Sequence, residues 1–254
     1  MNVTRHPVLV LVLSFVGLAF SAQIGAFFSR RRRAADTEVR EDFGVVLGAT
    51  LTLLALIIGF TFSMALTRYD QRKNYEEAEA NAIGTEYVRA GLLPPADAGK
   101  VQALLLNYVD QRVLFYETRD DQQLSKINAQ TAKLQAELWS AVQAPAVAQP
   151  TPVVALALAG MNDVLNSQGY TQAAWRNRIP LAAWGLMAAI AICSNALVGL
   201  GTRDAKAEFK LLLILPIVVS IAFFLIADID SPRGGLIRVN PENLVSLSQS
   251  LHPQ

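Results

Sequence analysis

Apolar and charged positions are segregated along this chain. Four strongly apolar stretches hold no Asp, Glu, Lys, Arg or His: residues 7–29, 43–67, 179–202 and 211–227, with 23, 25, 24 and 17 residues. About 20 apolar residues in a helix cross the ~30 Å hydrocarbon core of a bilayer, so the pattern predicts four membrane-spanning helices. The first three reach that length easily. The fourth is short and contains Pro216; a proline inside a span is tolerated where neighbouring groups satisfy the freed carbonyl. Only residues 203–210 separate it from the third, which pairs the two. The first stretch also reads as a secretory signal, with Arg5 as its basic start and Ala19-Phe20-Ser21 as a cleavage site. Its length and the run Arg30-Arg31-Arg32-Arg33 that stops it favour a retained span.

Between spans two and three the period becomes helical and amphipathic. Residues 68–92 continue the second span as one projecting helix, stopped by Gly91 and Pro94-Pro95. A helix over 96–117 places Val101, Leu104, Leu105, Tyr108 and Val109 on one face. Another over 122–142 aligns Leu124, Ile127, Thr131, Leu134 and Leu138. Pro145, Pro150 and Pro152 mark a turn, and a further helix from about Val153 leads into span three, with a break expected near Gly169. No stretch alternates as a strand would. The predicted fold is therefore all-α: a four-span integral membrane protein with a helical soluble domain between spans two and three. Its parts are residues 1–67 with spans one and two, 68–178 as the helical domain, 179–229 with spans three and four, and a C-terminal tail over 230–254.

Composition narrows the function. Charged residues are 17% overall, but all 43 lie in the 165 residues outside the four stretches, where they reach about 26%, an ordinary soluble value. A net charge of +1 argues against nucleic acid as a partner, since such proteins carry a basic excess or face. One cysteine, and two histidines at opposite ends of the chain, argue against a disulfide framework, a Cys- or His-based metal centre and a His-dependent triad. No phosphate loop, G-x-S-x-G or H-E-x-x-H is present, so no enzyme and no cofactor is expected. No span holds an ionisable side chain, which lowers the case for a proton-coupled pump. Lys and Arg near the span ends set orientation, yet eight flank each side; charge alone leaves the orientation open.

The second span is the most informative. Gly48, Thr52, Ala55, Gly59 and Ser63 recur every three or four residues. Such a stripe permits close helix packing; it equally suits the wall of an aqueous path, with Leu56 and Phe60 as an apolar constriction that gates by dewetting. Beyond it come Arg68, Arg72, Glu76, Glu79, Asn81, Glu86 and Arg89, read either as a solvated face with i,i+4 pairs such as Arg72–Glu76, or as a vestibule or inter-subunit polar set (Arg68, Arg72, Glu79, Asn81, Arg89). Gln23, Ser194 and Asn195 are the strongest polar groups within spans and are expected to hydrogen-bond between helices; Cys193 is expected to be a packing residue. After span four, Asp228, Asp230, Pro232 and Gly234 form a polar stop and turn. Two carboxylates are too few for a Ca²⁺ site without several more oxygen ligands.

Three stretches carry a family resemblance: Gly59-Phe-Thr-Phe-Ser-Met-Ala-Leu-Thr-Arg-Tyr-Asp-Gln-Arg72, then Glu79-Ala-Asn-Ala-Ile-Gly-Thr85 with Arg89 and Leu92-Leu-Pro94, and the Asp-x-Asp-x-Pro-x-Gly turn of Asp228 to Gly234. Together they resemble the bestrophin-like membrane proteins of bacteria, over nearly the whole chain. The more distant resemblance to bestrophins implies a pentameric anion channel in the bacterial inner membrane, with the lipid bilayer, small anions and four further copies of the chain as partners. It implies that the second helix lines the pore, with Phe60 at the neck, Leu56 and Thr52 one and two turns earlier and Ser63 beyond; Thr52 departs from a purely apolar neck. It implies a cytosolic helical domain, which would set the run from Arg30 to Arg33 at the outer surface, where it would concentrate anions. The acidic calcium clasp that follows the last span of bestrophins is reduced here to Asp228 and Asp230, so calcium gating is not implied. The alternative is a non-conducting scaffold or sensor whose helical domain binds a partner.

Overall fold

The computed structural model describes residues 6–31, 37–202 and 209–252. Arg32, Arg33, Arg203 and Lys206 lie outside the described residues, as do the side chains of Arg30, Arg31 and Arg40. Among the described residues the regular structure is helical: α1 Pro7–Arg31, α2 Thr37–Ala90, α3 Pro95–Glu117, α4 Asp121–Ala148, α5 Pro152–Arg176, α6 Leu181–Gly201, α7 Phe209–Asp230 and α8 Glu242–Leu251. Four segments are long and apolar enough to cross a membrane, in α1, α2, α6 and α7. The protein is an all-α membrane protein. Helix α2 is unbroken over 54 residues.

Two differences from the sequence expectation are instructive. The helix that begins at Pro152 does not break at Gly169; it runs to Arg176, and the interruption falls over 177–180. A single glycine costs a helix only about 1 kcal/mol, whereas Pro180 removes a donor and bars helical geometry from the residue before it. Pro145 does not end its helix either. It sits in the last turn of α4, and its carbonyl accepts from the Gln149 N–H at 2.8 Å.

The chain divides into two compact units, Met1–Thr67 with Arg178–Ile237, and Arg68–Asn177 with Arg238–Gln254. In the first, α1 and α6 run parallel and touch backbone to backbone. A Cβ on Gly25 would strike the Ala196 carbonyl oxygen, and one on Gly199 would strike that of Ala22. The Ser21 hydroxyl donates to the Ile192 carbonyl at 2.8 Å and that of Ser29 to the Thr202 carbonyl at 2.8 Å. So Ser21, Gly25 and Ser29, four residues apart, form the contact stripe of α1, the small-xxx-small arrangement by which membrane helices approach closely. Leu212 of α7 packs on Ala22 and Ala26, and Trp184 of α6 meets Phe223 edge-on at 6.1 Å. The expected inter-helix bonds of Ser194 and Asn195 are absent: each donates to its own helix, to Ile190 and Ala191 carbonyls at 2.8 Å. Gln23 and Cys193 are exposed.

The second unit is built on the predicted faces. Val101, Leu105, Tyr108 and Val109 of α3 and Ile127, Thr131, Leu134 and Leu138 of α4 are buried, joined by Ile83 of α2 and Met161 and Val164 of α5. Asp120 caps α4 and Thr151 caps α5, accepting from Gln123 and Val154 N–H at 2.7 and 3.3 Å. The C-terminal segment belongs to this unit. Helix α8 buries Leu244 in its core, and Gly84 of α2 leaves room for Leu247.

Candidate functional site

Within the membrane unit, α2 has two unlike sides. Leu54, Thr61 and Ala65 are buried; at 100° per residue they share one face. Thr52, Leu56, Gly59 and Ser63 lie on the opposite side, flanked by Phe60, and all five are exposed. Leu56 is 51% and Phe60 66% exposed. Only 6% of the most apolar stretch of this helix is buried, against 28% for α1 and 50% for α7. Its own chain thus leaves α2 the least covered of these three spans. A Cβ added at Gly48 or Gly59 would meet nothing, so within the chain this stripe does not serve packing.

The outward faces of the spans also differ in character. Helices α1 and α7 present large apolar groups: Val12, Val16 and Phe20 on one, Ile214, Ile217 and Ile221 on the other. Those suit lipid chains. The outward face of α2 mixes Gly48, Thr52, Gly59, Ser63 and Thr67 with Leu56 and Phe60. The Thr52 and Thr67 hydroxyls donate to the Gly48 and Ser63 carbonyls at 2.9 and 3.0 Å. Their hydrogens are thereby satisfied within the helix, while the oxygens remain on the open side.

In the helical unit the polar residues of α2 separate. Asn81 is exposed, and Arg68 and Arg89 are half-buried. Arg72, Glu76, Glu79 and Glu86 are buried, which corrects their reading as a solvated face. Glu79 is the hub. Its carboxylate pairs with the Arg112 guanidinium of α3 and accepts from the hydroxyls of Thr171 at 3.0 Å and Tyr116 at 3.4 Å. Arg112 also lies over the Phe115 ring at 4.3 Å. Burial pulls the Arg112 pKa down, but Glu79 beside it more than reverses this and leaves it raised. Burial, reinforced by Glu79, raises the pKa of Tyr108 and Tyr116. Arg72 donates to the Ala174 and Asn177 carbonyls at the end of α5, at 3.3 and 3.4 Å, where a helix terminus favours a cation. Glu76 accepts from the Leu244 N–H at 2.9 Å and the Asn243 amide at 2.6 Å, capping α8. Arg112, Thr171, Tyr116 and Asn243 were not singled out from the sequence, and nothing local in it would have paired them.

The turn after α7 is an anchor. Asp228 accepts from the Leu236 and Ile237 N–H groups at 2.7 and 2.8 Å, and Asp230 from Ile179 N–H at 3.1 Å. The Arg178 guanidinium donates to the Asp230 carbonyl at 2.8 Å and the Ser231 hydroxyl at 3.2 Å. Pro232 is buried and Gly234 exposed. The next residue, Gly235, is required: a Cβ there would strike the Asp228 carbonyl. Asp228 thus closes the turn after α7, and Asp230 ties the end of α7 to the residue before Pro180, just ahead of α6.

Comparison with known proteins is consistent with this architecture. The chain is similar in structure to crystal structures of a bacterial bestrophin homologue from Klebsiella pneumoniae. A single-substitution form of that homologue superposes with a TM-score of 0.66 at 12% identity, covering 95% of this chain and 97% of the other. Another crystal structure of it gives 0.64 at 13% identity, covering 97% and 99%. At that identity the likeness is one of fold. No curated protein matches the sequence. A family model described as the bestrophin-like domain matches residues 12–244, and the chain belongs to the bestrophin-like family.

Proposed function

We propose that this protein is a homo-oligomeric anion channel of the inner membrane, with the outward face of α2 lining the conduit. The observation that carries this reading is the composition of that face. It sets Gly48, Thr52, Gly59, Ser63 and Thr67 among Leu56 and Phe60 where the outward faces of α1 and α7 carry large apolar groups, and its own chain leaves it exposed. In an assembly around a central axis such a face supplies hydroxyl oxygens to water and ions. Leu56 and Phe60 are then the narrowest points, where an apolar ring opens and closes by wetting. Family membership supports the anion and the pentamer as the first reading, with the helical unit in the cytosol and Asn81 facing the aqueous route. Asp228, Asp230, Pro232 and Gly234 anchor the bundle and take no part in conduction.

The test is chloride flux from vesicles holding the purified protein, together with the mass of the detergent-solubilised particle. Flux from a multimer supports the reading. A monomer, or a multimer that passes no ion, replaces it with the scaffold. In a conducting preparation, Phe60→Ala is expected to raise flux several-fold and leave thermal unfolding unchanged; unaltered flux removes Phe60 from the neck.

A further inference from the structure

Glu86 stands apart from the polar network of the helical unit. It lies outside the uncharged run of α2, one turn before that helix ends at Ala90, and it is fully buried. Neither carboxyl oxygen has a hydrogen-bond partner. This contrasts with Glu76 and Glu79, whose oxygens are engaged by donors on other helices. The carboxyl rests on α5 at Gly160: a Cβ there would occupy its place and crowd the Arg89 guanidinium as well. The glycine makes a niche of carboxyl size, and no donor there, the nearby Arg89 guanidinium included, makes a hydrogen bond to the carboxyl.

An ionised carboxylate is not held in such a place; the group keeps its proton instead. The charged groups acting on Glu86 are Arg89 on its own helix and Asp163 on α5. From α3, the neutral Gln102 amide donates to the Tyr87 carbonyl at 3.2 Å, and from α8 the apolar Leu247 faces Gly84. Burial raises the Glu86 pKa to about 8; Arg89 opposes this and Asp163 adds to it.

We propose that Glu86 is a proton-binding site: its neutral carboxyl, seated on Gly160, holds the last turns of α2 against α5, and loss of the proton to solvent loosens that seam. The sign follows from linkage. The closed seam binds the proton more tightly than the open one, so protonation favours closure. Opening rises about tenfold per pH unit from above the ordinary carboxyl range up to the closed-state midpoint, then levels off. This is a property of the helical unit and stands whether or not the protein conducts.

The experiment uses the full chain in detergent. Infrared spectra are recorded from about pH 6 to about pH 9.5, across that midpoint. Hydrogen exchange over residues 82–90 and 154–163 is followed in parallel, corrected for intrinsic rates. The wild type is expected to lose a protonated-carboxyl band with a midpoint near 8, and its seam opening to climb and then level off. Glu86→Gln is expected to lack the band and to show pH-independent opening. A band that survives Glu86→Gln, or opening with the same pH slope, overturns the proposal. Two milder variants decide the matter if that one does not fold. Exposed Asp163→Asn is expected to lower the midpoint and Arg89→Gln to raise it; midpoints that stay put in both overturn it.

Discussion

Two stripes of small residues run along neighbouring stretches of this chain and do opposite things. On α1, Ser21, Gly25 and Ser29 are spent on contact: the Gly25 position touches the Ala196 carbonyl, and both serines donate to α6. On α2, a Cβ at Gly48 or Gly59 would meet nothing, and Thr52 and Ser63 are exposed. Spacing and composition are nearly the same. What differs is whether the chain supplies a second backbone. Where it does, a missing Cβ is filled by a neighbour's carbonyl; where it does not, the same absence leaves a smooth, weakly polar wall. A small-residue stripe therefore announces close approach to something, and only the fold says whether that is a helix of the same chain.

The largest effect should come from closing the packed stripe. Gly25→Val or Gly199→Val places side-chain atoms inside the facing backbone, which cannot move aside as a flexible side chain would. Loss above about 4 kcal/mol is expected, read as failure to recover monodisperse protein. Recovery with near-normal melting would mean that α1 and α6 are not in backbone contact. Ser21→Ala keeps the shape and removes one inter-helix hydrogen bond, for an expected cost of about 0.6–1 kcal/mol in thermal unfolding.

The division between what could and could not be read beforehand follows the same line. The four spans were legible because charge is costly in hydrocarbon and long, strongly apolar runs without it have few other causes. The core faces of α3 and α4 were legible because their period is local. The fate of the acidic residues on α2 was not. Glu79 is buried because Arg112, Thr171 and Tyr116 come to it from 33, 92 and 37 positions away, and Glu76 because α8 returns across 168. A run of charges looks solvated until another helix covers it. Helix α8 did leave a signal, Leu244, Leu247 and Leu251 at helical spacing after Pro241, too short to weigh against a tail. The stripe of α1 is equally visible as Ser21, Gly25 and Ser29 at helical spacing, but nothing local in the sequence says that α6 covers it.

On the open stripe, Gly59→Ala should not harm the fold. The added methyl meets nothing, and alanine favours a helix interior over glycine by about 0.5–1 kcal/mol. An unchanged or slightly raised melting temperature is expected. A drop in the mass of the solubilised particle would show that Gly59 packs against another copy, which would make the two stripes alike after all, one within the chain and one between chains.

The smallest effect on stability, and the most telling on function, is expected from Thr52→Val. The two side chains have nearly the same shape, and the Thr52 hydroxyl bonds only the Gly48 carbonyl one turn back. Nothing in the fold depends on it, so unfolding should stay within about 0.5 kcal/mol. The environment of the face then decides the rest. Against lipid, a methyl in place of a hydroxyl is neutral, and flux stays as it was. Against water, the change removes a ring of hydroxyl oxygens one turn from Leu56 and extends the apolar constriction, which favours the dewetted state. Reduced flux at unchanged stability would place Thr52 on the conduit; unchanged flux in a preparation that Phe60→Ala does alter would confine the wall to the part of α2 beyond Leu56.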